Sequence, residues 1–330
     1  MENKRKMNKK LKIILIILLV IVIIGGVGFG ASIFYLRHKL SQIPRAKLPT
    51  TPEGNGIQNP TSFTKVSDDI TNILLLGTDS RDPKSDPGRS DSMMILTIDE
   101  AHNKLKLTSI MRDSLVNIEG YGQQKLTHAH AYGGAALTLK TINQNFDMNI
   151  ENYVQVNFFG LEKIIDDIGG IPINVTAAEI PIANSYVDEM SAIEKKTPQH
   201  ITKAGLQTLN GIQAVGYARI RYIGNGDFQR TERQRTVLTE MFKKLSQTSI
   251  TSLPGIADTI IPYVETSLKP DTMMSFATYI LTHKMTNVEQ SRIPYDDLNK
   301  QAVVGGLDVI EWDKEATIKR LHQFIFESDK

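Results

Sequence analysis

Charged side chains gather where apolar runs stop. Between Asn72 and Leu96 the chain reads NILLLGTDSRDPKSDPGRSDSMMIL. The run Ile73–Leu76 meets Gly77, and Asp79, Arg81, Arg89 and Asp91 then precede a second apolar run. That is the pattern of strand, charged loop, strand, with two carboxylates and two guanidiniums at the strand ends. Carboxylates suit a hard cation such as Mg²⁺, and guanidinium forks suit phosphate oxygens. In open α/β sheets ligands bind at that edge. Taken alone, the stretch fits equally well a surface loop whose charges pair among themselves.

Further arginines follow the same logic. Lys104–Ile110 alternates polar and apolar residues as a half-buried strand does, and Arg112 and Asp113 sit at its end. Tyr217–Tyr222 reads as another strand, from which Arg219 and Arg221 would leave on one face. A Gly-Asn-Gly-Asp loop then ends in Asp227, and a long helix begins near Thr231. Arg230 and Gln234 stand four apart at its start, hence on one side. Free N–H groups and the positive dipole end favour phosphate there. Asp227 could cap this helix or act in catalysis. Arg233 and Arg235 point elsewhere on the turn and read as solvated or paired. His128 and His130 would diverge by about 200° on a helix, so they make no metal site. The chain has neither a P-loop nor a Gly-x-Ser-x-Gly elbow, so nucleotide hydrolysis of that type and esterase chemistry lack support. Several arginines around one site exceed what a monoanion needs; pyrophosphate with Mg²⁺ fits the charge better.

The elements expected to hold these groups alternate between strands and helices. Glu100–Asn103 is turn-like, so Lys104–Ile110 should run antiparallel to the strand before it. Lys125–Phe146 reads as a helix with Gly133 and Gly134 near its start, where the backbone can pack or a ligand can approach closely. Tyr153–Phe158 and Ile171–Val175 read as strands, Phe159–Ile168 and Asn210–Val215 as helices. Towards the end, Ile256–Val264, Asp271–His283 and Trp312–Phe326 read as helices, Val288–Ile293 and Ala302–Val304 as strands. The expected fold is α/β, a mixed central sheet packed between helices in α/β/α layers.

Composition narrows the function classes. The 330 residues are 22% charged and 41% hydrophobic, with no cysteine. Disulfide scaffolds, thiolate metal sites and cysteine nucleophiles are excluded. The total charge of +2 is uneven. Residues 1–48 hold ten basic residues against Glu2, a net +9, which leaves −7 for the rest. An acidic main domain makes a poor nucleic-acid surface. Ile13–Leu36 carries no charge and is long enough to cross a hydrocarbon core of about 30 Å. The basic residues before it place the amino terminus in the cytoplasm and the remainder outside. The expected organisation is a cytoplasmic tail (1–12), a single transmembrane helix (13–36) and an extracellular linker rich in proline and glycine (37–70). One catalytic domain (71–330) follows.

The blocks NILLLGTDSR, RSDSMMIL, TSIMRDSLVNIEGYGQQKLTHAHAYGG, NYVQVNFFGLEKIIDDIGGIPINV, LNGIQAVGYARIRY and GDFQRTERQR stand in order between about Asn72 and Leu245. Together they resemble the LytR-CpsA-Psr family of cell-wall glycopolymer transferases. The resemblance implies a membrane-bound enzyme outside a Gram-positive cell. It would move a glycopolymer, with wall teichoic acid the leading choice, from an undecaprenyl-pyrophosphate carrier to a muramic acid hydroxyl of peptidoglycan. Its partners are thus the lipid-linked polymer, peptidoglycan and the cytoplasmic membrane, with no nucleic acid. By the same resemblance Asp79 and Asp91 would hold Mg²⁺ (or Mn²⁺ in its place). Arg89, Arg112, Arg219, Arg221, Arg230 and Gln234 would grip pyrophosphate with Arg81 close by, and Arg112 and Asp227 are the catalytic candidates, Asp227 as proton acceptor. Thr127, His130, Gln229 and Met111 depart from the residues usual in the family, and none of them removes a charge from the proposed site. Two other readings stay open: a membrane-anchored regulator or polyprenyl-pyrophosphate-binding module without catalysis, and a lipid pyrophosphatase.

Overall fold

The computed structural model describes residues 33–58, 69–78, 90–224, 226–247 and 253–327. Most of the expected transmembrane segment, together with Asp79, Arg81 and Arg89, lies outside the described residues. Among those described, no helix is long and apolar enough to cross a membrane.

A six-stranded mixed sheet forms the centre. Its strands are β1 (Ile70–Thr78), β2 (Ser90–Asp99), β3 (Lys104–Ile110), β6 (Asn152–Asn157), β9 (Val264–Thr266) and β10 (Val288–Ile293), in the order β10-β3-β2-β1-β6-β9. β1, β2 and β3 form an antiparallel meander, while β6 runs parallel to β1 and β10 parallel to β3. The carboxyl ends of β1, β3, β6 and β10 therefore lie at one edge. Two-residue alternation sorts the apolar side chains between layers. Leu74, Leu76, Met93, Ile95 and Ile110 join a core with helices α1 (Leu126–Phe146) and α8 (Lys314–Phe326). Ile73, Met94, Leu96, Ile98 and Leu107 face the opposite layer, against α5 (Asp227–Ser246) and α7 (Pro270–Thr282). The α/β/α expectation holds.

The remaining elements are arranged around this sandwich. Helices α2 (Phe158–Asp167), α3 (Ile180–Glu194) and α4 (Gly211–Ala218) build a second apolar cluster with the hairpin β7 (Ile171–Val175) and β8 (Gly205–Leu209). A short helix α6 (Leu253–Ile260) follows α5. Two more hairpins complete the chain, β4 (Leu115–Ile118) with β5 (Gly122–Lys125) and β11 (Asn299–Val304) with β12 (Leu307–Trp312). Helix α1 breaks at Gly133 and Gly134, the latter at φ 60°, ψ −154°, which a side chain would oppose. Residues 43–57, read above as linker, lie against the domain. Ile43 and Ile57 are buried, and the Thr266 amide donates to the Pro44 carbonyl at 3.1 Å.

One sequence expectation fails where it matters. Tyr217–Tyr222 is not a strand. Asn210 caps α4 through a capping box with Gln213, the helix runs to Ala218, and Arg219 is its C-cap. The alternating apolar residues of this stretch are buried by helix packing and a turn: Tyr217, Ala218 and Ile220 all enter the second cluster. The argument that Arg219 and Arg221 share a strand face therefore falls.

Candidate functional site

Four elements deliver charge to the edge where β1 and β3 end. Arg112 follows β3, and its carbonyl accepts from the Thr127 amide at 3.0 Å. Asp91 is the second residue of β2; beside it, the Ser90 carbonyl accepts from Thr127 Oγ1 at 3.0 Å. The hydroxyl of Thr127 thus pins the start of β2 to α1. Arg221 lies in the loop after α4. Asp227 opens α5 directly after Gly226, whose φ of 61° admits the sharp entry, and Arg230 follows one turn later.

These groups converge on Asp227. Arg112 Nε donates to its Oδ2 at 3.0 Å, Arg221 Nε to its Oδ1 at 3.0 Å, and Arg230 Nη2 to Oδ2 at 3.4 Å. Arg112 Nη1 also donates to Asp91, and Arg230 Nη2 reaches the Asp91 carbonyl at 3.4 Å. Burial alone would raise the Asp227 carboxyl, but Arg230, Arg112 and Arg221 outweigh it and hold the group below the ordinary carboxylate value. A carboxylate so held is a weak proton acceptor. Burial opposes the charge on Arg112, yet Asp91, Asp227 and Asp113 more than compensate and raise its guanidinium. For Arg230 burial wins, and its guanidinium falls below the ordinary value.

Arg112, Arg221 and Asp227 line a cavity of about 570 Å³, closed by Lys125, Phe228 and Val309. Lys125 Nζ pairs with Asp113 at 3.0 Å. Arg112, Arg221, Arg230 and Lys125 stand against Asp91, Asp113, Asp227 and Asp308, the last also lining the cavity, so positive and negative side chains balance before a substrate binds. Among the buried atoms that lack a partner in the described residues are the Nε donor of Arg230 and the Oε1 acceptor of Gln234, one turn apart on α5. A buried donor without an acceptor costs about 1–3 kcal/mol, so the position favours an incoming anion oxygen.

Arg219 stands apart from the Asp227 cluster. It pairs with Glu189 at 3.2 Å, and its guanidinium carbon lies 4.5 Å from the Tyr186 ring centroid and 5.0 Å from that of Phe158. Arg233 is paired as expected, with Glu179 at 2.7 Å. Arg235 is neither solvated nor, in the contacts it makes, paired with a carboxylate. It donates to Ser109 Oγ at 2.9 Å and to Gln290 at 3.3 Å, and burial brings it down to about 10. His130 contacts Gln155 and His128 contacts Gln124, so the two imidazoles serve different neighbours.

For a divalent cation, Asp91 is the described member of the expected pair. One carboxylate completed by substrate phosphate oxygens is a set that Mg²⁺ accepts, and the chemistry of Asp91 fits. A different group, Asp99, His102 and Glu327, brings ligand atoms within 4.8 Å of one another and could hold a metal ion. Its oxygens already serve lysines: Lys106, fully buried, reaches Asp99 at 2.8 Å and Glu327 at 3.0 Å, and Lys104 reaches Glu327 at 2.6 Å. It lies at the opposite end of β2 and β3 from Asp91 and Arg112.

The LytR_cpsA_psr family profile matches residues 44–323. The chain belongs to the LytR-CpsA-Psr family. Within it, the Polyisoprenyl-teichoic acid–peptidoglycan teichoic acid transferase TagU of Bacillus cereus is 30% identical over 294 residues, 88% of this chain and 89% of that one. Regulatory protein MsrR of Staphylococcus aureus is 30% identical over 263 residues, 77% of this chain and 74% of that one. The structure described as TagT bound to LIIa-WTA superposes with a TM-score of 0.61 at 25% identity, covering 79% of this chain and 92% of that one. This LytR-CpsA-Psr member thus shares its fold with a protein solved bound to LIIa-WTA. Sequence reasoning missed Lys125, Phe228 and the β11–β12 wall. Phe228 and Lys125 carry no local signal, and the wall is brought in by pairing between distant segments.

Proposed function

We propose that this protein transfers a phospho-glycopolymer, with wall teichoic acid the leading choice, from an undecaprenyl-pyrophosphate carrier to peptidoglycan. The observation that carries the reading is the convergence of Arg112, Arg221 and Arg230 on one carboxylate at the cavity. Family membership supports transfer of a cell-wall polymer, and the TagU and TagT names supply the substrate class.

In this reading the acceptor hydroxyl attacks the phosphorus that carries the glycopolymer. The bond from that phosphorus to the bridging oxygen breaks, and undecaprenyl phosphate leaves with the electron pair, its freed oxygen taking up the proton that the hydroxyl gives up. Phosphoryl transfer needs positioning and charge neutralisation more than covalent help. Arg112, Arg221 and Arg230 meet that need, with Arg81, Arg89 and Gln234 completing the grip as the family resemblance implies; Arg219, which that resemblance also implies, lies against Tyr186 and Phe158 instead. Mg²⁺ held by Asp79 and Asp91 would add neutralising charge at the phosphates. Asp227 suits the work of arraying guanidiniums better than that of proton acceptor. Membership in a family of membrane-associated enzymes agrees with the apolar segment 13–36, since confinement raises the effective concentration at a lipid donor.

The test uses the full chain in detergent with a lipid-pyrophosphate-linked saccharide, Mg²⁺ and a peptidoglycan oligomer. Product on the glycan supports transfer. Release of free sugar phosphate would instead indicate a pyrophosphatase, and binding without turnover a non-catalytic module.

A further inference from the structure

Two hairpins lie side by side at the mouth of the arginine cavity, β4–β5 and β11–β12. They are joined by the bridge between Ser114 and Ile310 and by the Ile310 amide, which donates to the Asp113 carbonyl at 2.8 Å. The Trp312 indole adds a bond to the Leu115 carbonyl at 2.9 Å. Register then decides which side chains share a face. Asn117 pairs with Gln123 and Leu115 with Lys125; Lys300 pairs with Glu311 and Ala302 with Val309. Since Ser114 and Ile310 are partners, Leu115 and Glu311 fall together on the opposite face.

One face of the joined hairpins turns inward, where Val116 and Ile118 enter the core and Trp312 stacks on Phe146 at 4.6 Å. The other face divides into two halves. Lys125, Ala302 and Val309 wall the arginine cavity, while Asn117, Gln123, Lys300 and Glu311 wall a neighbouring cavity of about 710 Å³. The two cavities therefore draw walls from the two halves of one sheet face.

We infer that this face is the acceptor subsite: a neutral glycan strand lies across both hairpins, its attacking hydroxyl at the Lys125–Val309 end. The inference rests on the transfer reading and adds to it the place of the second substrate. Three observations carry it. The cavity has the size of an ordinary ligand site, roughly 300–1,000 Å³. Its exposed amides, Asn117 beside Gln123, both donate and accept, as a polyhydroxylated strand requires. Its charge is balanced. Asp297 pairs with Arg320 at 2.9 Å and Glu311 with Lys300 at 2.9 Å, while Asp313 stands beside Lys314. The face thus offers no net positive charge to a polymer of repeating phosphates, and an uncharged glycan needs none.

The test compares the full chain with the double variant Asn117→Ala/Gln123→Ala and with Glu311→Lys, in detergent. Initial rates are taken while the lipid-pyrophosphate-linked saccharide and a peptidoglycan tetrasaccharide are varied in turn. The double variant should raise the acceptor KM about tenfold, the scale of two lost hydrogen bonds, with the donor KM unchanged. An unchanged acceptor KM overturns the subsite, and so does a rise confined to the donor KM. Glu311→Lys should lower the donor KM, because its added charge now attracts the phosphate polymer. Calorimetric binding of the tetrasaccharide without donor keeps the outcomes separate. Wild-type protein that binds it but transfers nothing overturns the proposed function while supporting the subsite, provided the double variant loses that binding. Transfer with no such binding loss overturns the subsite alone.

Discussion

Arg112 and Asp227, 115 residues apart in sequence, meet through an Nε–H···Oδ2 hydrogen bond of 3.0 Å. The bond joins the end of β3 to the first turn of α5, two elements also linked further along by Arg235 and Ser109. With Arg221 on the other oxygen and Arg230 beneath, one carboxylate orders three guanidiniums before any substrate arrives.

Arg112→Ala should lower transfer by about 10²–10³, the effect of removing a donor that strengthens in the transition state, about 2.7–4 kcal/mol. Because the deletion also leaves Asp91 and Asp227 short of a partner, Arg112→Lys is the control. It keeps the charge, loses the fork and should still fall well below wild type. Circular dichroism checks that both variants are folded; wild-type turnover in either rejects the role.

Asp227→Asn separates ordering from binding. The carboxylate competes with phosphate for the same guanidiniums, so its loss should tighten binding of inorganic pyrophosphate several-fold while transfer slows. Calorimetry with pyrophosphate reads the first effect. Weaker pyrophosphate binding would show that Asp227 does not compete.

Arg219 and Arg221 should part company. Arg219 lies against Tyr186 and Phe158 and pairs with Glu189, so Arg219→Ala should lower thermal stability by about 0.5–2 kcal/mol. Arg221→Ala should cost more activity and less stability. The reverse ranking of activities would assign Arg219 to the substrate.

Chelation should abolish transfer, and added Mg²⁺ should restore it. Asp91→Asn should raise the Mg²⁺ concentration needed for half-maximal rate. Activity in this variant that ignores chelator would remove Asp91 from the metal.

The far end of the sheet predicts an acid response. The Lys104 hydrogen bond, against a smaller opposing push from burial and with help from Lys106, brings the Glu327 carboxyl from 4.5 down to about 2. The folded chain then binds fewer protons than the unfolded one, so the contribution is full above about pH 4.5 and disappears as pH falls towards 2. Glu327→Gln should flatten the loss of stability over that window in denaturant titrations at stepped pH.

The strands were legible because β3 and β10 of the central sheet and β7 of its hairpin each announce themselves by alternation or by a compact apolar run between turn residues, and their expected bounds match those observed. Arg112 and Asp227 were legible as candidates, since each sits where an apolar element stops. The segment around Arg219 was misread because its apolar spacing fits a strand and a short capped helix equally well. Only the Asn210 capping box distinguishes them. The partnership of Asp113 with Lys125 was not legible at all, because it depends on how the β4–β5 hairpin folds back.

The wall supplied by β11 and β12 has a consequence for biogenesis. Every arginine of the cavity precedes Asn299 in the chain, whereas Ala302 and Val309 arrive among the last thirty residues. Domains take shape as they emerge, amino end first. A chain interrupted before Asn299 carries every arginine of the cavity but neither Asp308 nor the enclosure, so a truncated product holds an open basic surface in place of a reaction chamber. Completion of synthesis is thereby built into the onset of activity.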